Sequence, residues 1–168
     1  MGVREIAKKV AEASATGGGN YLKHGKGVAV VKEVLYKEDL DSGRGFIVEL
    51  IMDSVEPYMG ADGKPLPCNA PGSTVSFVQL FDKYPKSALG NTKAFIEALY
   101  GESLDSDAFV DRMEKMTSDK NPARGIKIKF STYEKMTKTS KALLTLPKWE
   151  HVEQTAEEVK ATRERLGL

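Results

Sequence analysis

The sequence predicts a mainly β fold with helices, and three observations carry that expectation. Apolar residues recur in strand-like runs in five places. After the third run the pattern changes to a helical period. Glycine, proline and aspartate clusters punctuate the joins. At 168 residues the chain has room for one core with appendages. It divides into an N-terminal helix (1–16), a five-stranded β domain (17–150) and a C-terminal helix (151–168).

The first element is the helix in VREIAKKVAEASA, ended by Gly17, Gly18 and Gly19. That glycine-rich stretch invites comparison with a phosphate loop. Such a loop needs a glycine, four residues, then Gly-Lys followed by Ser or Thr, because the hydroxyl holds magnesium. Counting back from Gly25 and Lys26, the first position is Asn20, and the residue after the lysine is Gly27. The order is also reversed, since a phosphate loop leaves a strand and opens a helix. The glycines are read instead as the release into the first strand, 28–37.

KEDLDSGRG then turns the chain, with Gly43 and Gly45 as candidates for positive φ. The second strand, FIVELIMDS, places Phe46, Val48, Leu50 and Met52 on one face. A Pro- and Gly-rich stretch, 55–72, reads as irregular loop. The third strand, STVSFVQLFDK, sets Val75, Phe77 and Phe81 in register. NTKAFIEALYG has Ala94, Phe95, Ala98 and Leu99 at helical spacing, with Asn91 or Thr92 as N-cap and Gly101 as stop. SDAFVDRMEKM is a second helix capped by Ser106 or Asp107. GIKIKFSTY and ALLTLPKWEHV are strands four and five, and TAEEVKATRERLG closes the chain as a helix. Three strands, a helix and two further strands is the order of an OB-fold, a Greek-key barrel whose helix plugs the gap between strands 3 and 4. Closure also removes exposed sheet edges.

Chemistry for an enzyme is thin, and none is expected. His24 and His151 lie far apart, no nucleophile–base pair is visible, and the acidic pairs Asp39/Asp41 and Asp105/Asp107 do not repeat a calcium loop. Cys68 is alone, so neither a disulfide framework nor a cysteine zinc site is expected, and no cofactor or metal is implied. Apolar runs are too short for a membrane span, and the first residues are too charged for a secretory signal. No membrane partner and a cytoplasmic location follow as expectations.

Charge is unevenly distributed. Residues 120–141 hold seven bases (Lys120, Arg124, Lys127, Lys129, Lys135, Lys138, Lys141) against Glu134 alone. That local excess of +6 leaves −5 on the rest of a chain whose net charge is +1. Lys83, Lys86 and Lys93 form a smaller cluster. Segregated charge can focus a positive potential on one face; the plainer alternative is a solvated lysine-rich hairpin. Parity puts Lys127, Lys129 and Tyr133 opposite Ile126, Ile128 and Phe130. Single-strand binders need cations along the phosphates and flat rings for the bases. The candidate nucleic-acid-binding residues are therefore Tyr21, Lys23, Lys26, Lys83, Lys86, Arg124, Lys127, Lys129, Tyr133, Lys135, Lys138 and Lys141. Tyr36 and Tyr84 are further candidate platforms, and for each tyrosine the alternative is a half-buried core ring.

Four stretches, GGNYLKHGKGVAVVKEVLYK, GFIVELIMDS, GSTVSFVQLFDK and LGNTKAFIEALYG, together resemble a tailed-phage family of single-stranded-DNA-binding OB-fold proteins from replication and recombination gene clusters. The resemblance rests on Gly19, Tyr21 and Leu22, on Gly72, Ser73 and Thr74, and on Gly90, Asn91, Lys93, Ala94 and Phe95, and spans roughly residues 17–150. It implies a single-stranded-DNA partner, a viral protein acting in the host cytoplasm, and protection of replication or recombination intermediates. Homo-oligomers and contacts with phage replication or recombination proteins are its further partner expectations. The mixed-charge end, EQTAEEVKATRERLGL, departs from the acidic tail of many single-strand binders. A different class of function stays open beside it: a non-catalytic structural, assembly or adaptor module of a phage, with the 56–72 loop and terminal helices as contacts.

Overall fold

The computed structural model describes Val3 and residues 20–136 and 143–168. The expected N-terminal helix and Gly17 to Gly19 therefore lie outside the described residues, apart from Val3. Five antiparallel strands form one sheet in the order β3-β2-β1-β4-β5. They are β1 (Lys26–Leu40), β2 (Gly43–Glu56), β3 (Thr74–Leu80), β4 (Lys127–Met136) and β5 (Leu143–His151). Helices α1 (Pro85–Tyr100) and α2 (Ser106–Met116) lie between β3 and β4, and α3 (Ala156–Leu166) follows β5.

The hairpin strands run further than their apolar cores. β1 and β2 pair from Lys26↔Glu56 to Leu40↔Gly43, so only Asp41 and Ser42 form the turn. Gly43 has φ 94°, as a tight turn requires, whereas Gly45 lies inside the paired strand. Three register shifts interrupt the pairing, at Val28/Ala29, Val31/Glu33 and Lys37/Leu40. Bulges of this kind bend a strand and increase its twist, which lets a long hairpin wrap around a core.

That core lies on one face. Phe46, Val48, Leu50 and Met52 of β2, Val75 and Phe77 of β3, and Ile128 and Phe130 of β4 are all buried, as their alternation requires. α1 closes over them with Phe95, Ile96 and Leu99. Phe95 packs on Phe77 at 5.5 Å and on Trp149 of β5 at 5.1 Å, and Phe77 meets Trp149 edge-on at 5.2 Å.

The sheet does not close into the expected barrel. Among the described residues β3 and β5 share no backbone ladder; they meet through Phe77 and Trp149. Two features account for the open seam. The Ser76 N–H of β3 donates to Asn20 O at 2.8 Å, and Tyr21 bridges Ser76 in parallel, so the preceding segment takes part of that edge. On β5, Pro147 has no N–H to give, and proline belongs on edge strands.

Both helix starts differ from expectation. α1 begins at Pro85, with Tyr84 as N-cap and no capping side chain, because proline pre-sets helical φ at the first position. Asn91 instead donates to Gln79 Oε1 at 3.1 Å, and Thr92 is buried mid-helix. α2 is capped by Asp105, whose side chain accepts from Ala108 N at 2.9 Å. α1 ends at Gly101 in the left-handed region, φ 66°, where a Cβ would lie 2.7 Å from the His151 ring. His151 Nδ1 lies 3.1 Å from Ala98 O and 3.2 Å from Leu99 O, tying β5 to the carbonyl end of the helix. The expected C-terminal helix is present as α3, with a full capping box between Thr155 and Glu158. Its Arg163 donates to Arg124 O and to Pro122 O, and Gly125, at φ 85°, leaves room for that side chain.

Where the β1–β4 ladder stops, a side chain continues it. Asn121 Oδ1 accepts from Val34 N at 2.6 Å, and its Nδ2 donates to Val34 O at 2.9 Å and Ser118 O at 3.1 Å. The residue is buried and holds φ 43°, a conformation asparagine tolerates better than most. Asn121→Ala orphans both Val34 backbone groups and should cost about 2–6 kcal/mol, at about 1–3 for each buried group left unpaired. Urea unfolding measures this, and an unchanged midpoint would show that the amide is dispensable.

Candidate nucleic-acid interface

Residues opposite one another in an antiparallel ladder share a face, so the pairing of β4 sorts its basic residues. Ser131 stands opposite Lys26 of β1 and Lys148 of β5, Lys129 opposite Val28 and Glu150, and Tyr133 opposite Leu146. Lys127, Lys129, Tyr133 and Lys135 therefore point away from buried Ile128, Phe130 and Thr132. Tyr133 is 50% exposed and Lys26, Lys129, Lys135 and Lys148 are all exposed.

Leu146 joins this face to a groove of about 480 Å3 at the open seam. Tyr21, Val78, Leu80, Tyr84 and Asn91 are among its other walls. Tyr21 is 39% exposed and Tyr84 57%, so neither ring belongs to the core. The Tyr21 hydroxyl is pushed to higher pKa by partial burial. Lys83 holds its ammonium 5.4 Å from the centre of the Tyr84 ring, and Lys86 follows in the exposed first turn of α1. Lys23, Lys83, Lys86, Lys129, Lys135 and Lys148 make no ion pair among the described residues.

The leading segment is held in place by buried polar groups. Asn69 Oδ1 accepts from Lys23 N at 2.8 Å, and its Nδ2 donates to Tyr21 O at 2.9 Å. Thr132 Oγ1 accepts from Gly25 N at 2.9 Å, and Thr132 N donates to Gly25 O at 3.0 Å. His24 Nε2 sits 3.0 Å from Glu134 Oε1, which places the one acid of the basic hairpin against a histidine. The 57–72 stretch is more ordered than its composition suggests. Met59 and Pro65 form a bridge, and Gly60 N donates to Lys64 O at 2.7 Å.

The remaining sequence-derived candidates are placed elsewhere. Arg124 pairs with Glu33 at 3.5 Å, and Lys127 with Asp53 at 3.7 Å, where Arg165 of α3 also arrives at 3.1 Å. Those two cations tie β4 to β1, β2 and the C-terminal helix. Lys26 lies 3.7 Å from Glu56, an exposed pair of small energetic weight. Tyr36 packs on Phe81 at 6.5 Å and lines a separate groove with Phe109, Val110 and Met113. Lys138 and Lys141 lie outside the described residues. Asn69 and Lys148 were not among the candidates: Asn69 stands in a proline-rich loop, and Lys148 follows Pro147 in the run read as the fifth strand.

Among the described residues no cluster of three or more His, Cys, Asp or Glu could hold a metal ion. No described helix is long and apolar enough to cross a membrane. In comparisons with known proteins, no family model and no curated protein matches the chain.

One ion pair braces the loop beneath Tyr84. Arg44 meets Asp82 through its backbone N–H at 2.7 Å and its guanidinium at 2.7 to 3.2 Å. Hydrogen bonds from the Arg44 side chain, then from its backbone, hold the Asp82 carboxyl below its ordinary range. A carboxyl lowered in the folded state contributes stability above its unfolded value, about 3.9, and loses it as pH falls through the lower folded value. Carbon-detected NMR titration should find Asp82 protonating below the ordinary carboxyl value of about 3.9, and Arg44→Ala should raise it toward that value but not fully to it, because the residue-44 backbone N–H still donates. An unshifted Asp82 in the wild-type chain would refute the brace.

Proposed function

We propose that the chain binds single-stranded DNA with little sequence preference along the open seam between β3 and β5. The observation that carries the reading is the run of exposed rings, Tyr21, Tyr84 and Tyr133, linked through Leu146 and accompanied by lysines that make no ion pair among the described residues. Stacking on aromatic faces is sequence-tolerant because every base offers a π-face, and lysines track the backbone. Two of the nearby acids are themselves engaged, Asp82 by Arg44 and Glu134 by His24, which lessens their repulsion of phosphate, while Glu150 stands opposite Lys129 on the same face. The sheet order β3-β2-β1-β4-β5, with α1 packed between β3 and β5, supports reading the fold as an OB-type barrel opened along one seam. Protection of phage replication or recombination intermediates is the role that the sequence resemblance adds, with no catalytic step required.

Fluorescence anisotropy with labelled oligo-dT tests the proposal. Tyr21→Ala, Tyr84→Ala and Tyr133→Ala should each weaken binding by about 1–3 kcal/mol, the range for one stacked base. Replacing Lys83, Lys86 and Lys135 together by alanine should flatten the slope of log K against log salt by about 2, at about 0.7 for each phosphate released. Absence of binding by the wild-type chain at low salt would sink the reading.

A further inference from the structure

Asn69 is a polar side chain placed where a strand would otherwise be. It is only 3% exposed, and no regular strand surrounds it. Its amide bonds Lys23 N–H on one side and Tyr21 C=O on the other, and its Nδ2 also lies 3.4 Å from Asn20 Oδ1. A single side chain thereby pairs with alternate backbone groups of 20–23, as a neighbouring strand does. On the far side of that segment, Ser76 N of β3 donates to Asn20 O, and Asn20 Nδ2 donates to Thr74 O at 3.3 Å.

The consequence is a fixed direction for two side chains. Successive residues of an extended segment point to opposite sides, and a slip of one residue reverses them all. Bonds to Tyr21 C=O and Lys23 N–H hold that register, so the Tyr21 ring meets the groove and Lys23 remains exposed beside it. The loop that carries Asn69 is itself braced. Leu66 N donates to Tyr58 O at 2.7 Å, and Met59 pairs with Pro65. We infer that Asn69 is a positioning residue for nucleic-acid binding, one that never meets the ligand and acts by holding Tyr21 and Lys23 in register on the β3 edge. This inference rests on the single-stranded-DNA reading of the seam.

A double-mutant cycle tests it, with oligo-dT anisotropy as the readout and thermal melting as the check on folding. Asn69→Ala in the wild-type background should weaken binding by about tenfold, within the coupling range for residues in contact. It should also lower the salt slope by about 0.7, one phosphate contact. In a chain already carrying Tyr21→Ala and Lys23→Ala, the same change should weaken binding less than about twofold, since its targets are gone. Asn69→Asp keeps the size and the acceptor for Lys23 N–H but loses the donor to Tyr21, and it replaces the alanine variant if that one does not fold. The repulsion between its added charge and the DNA phosphates acts in both backgrounds and cancels from the cycle, and Lys23→Ala alone, combined with Asn69→Asp, measures the attraction to the Lys23 ammonium. Equal losses in the two backgrounds, or none in either, would remove the positioning role while leaving the seam as a binding site. A wild-type chain that fails to bind oligo-dT would remove both.

Discussion

The aromatic contact between Phe77, Phe95 and Trp149 is the constraint on which the rest of the molecule depends. Centroid distances of 5.1 to 5.5 Å place three rings in mutual contact where the two edge strands converge. The two edge-to-face pairs made by Trp149 each add about 0.5–1.5 kcal/mol beyond the area they bury. Their larger effect is geometric. β3 and β5 come together through side chains projecting inward, and α1 is clamped between them by Phe95. A sheet that ends in this way has a core as complete as a barrel's but keeps two edges, and both must be managed. The preceding segment covers part of one, and Pro147 blunts the other. What remains is a shallow groove lined by Val78, Leu80 and Leu146 with Tyr21 and Tyr84 at its walls.

Incomplete closure shifts hydrogen-bonding work onto side chains. Backbone groups near a core cannot be left unpaired, and here three residues complete what the ladders omit. Asn121 serves Val34, Thr132 serves Gly25, and Asn69 serves Tyr21 and Lys23. An amide carries a donor and an acceptor on one planar group, so asparagine can imitate a neighbouring peptide. All three residues are buried. Two of the three lock the segment that leads into β1, which is the segment that carries Tyr21.

Much of this was legible in the sequence because it depends on local alternation. The inward set Phe46, Val48, Leu50 and Met52, the split of Ile128 and Phe130 from Lys129 and Tyr133, and the C-terminal helix all follow from period and capping. Boundaries were harder where polarity misleads. Residues 38–44 look like a loop because the tips of β1 and β2 are solvated, yet they pair up to a two-residue turn. α1 starts six residues before Asn91 because Pro85 supplies the backbone conformation, while its large buried apolar residues begin only at Phe95, and Ala94 is exposed. Closure was not legible at all. It turns on whether ring volumes and a neighbouring segment occupy the seam, and neither leaves a periodic trace. The pairings of Asn69 and Asn121 join residues 46 to 87 positions apart, beyond the reach of any local pattern.

The basic hairpin shows how folding reassigns charge that a linear count treats as uniform. Arg124 and Lys127 meet Glu33 and Asp53 at the end of β4 nearest α3, and Arg165 and Arg163 fasten that helix to the same region. Cations held so are already compensated and gain little from a phosphate that must displace a carboxylate. Farther along the same strand, Lys129 and Lys135 have no such partner among the described residues, and Lys148 joins them from β5. One strand is thus structural at one end and electrostatically open at the other. Because exposed charges are screened beyond about 8–10 Å at physiological salt, the potential at the seam is set by these near lysines and not by the chain's net charge. Proximity to the tyrosines, more than the number of bases in the hairpin, is what the proposed binding at the seam relies on.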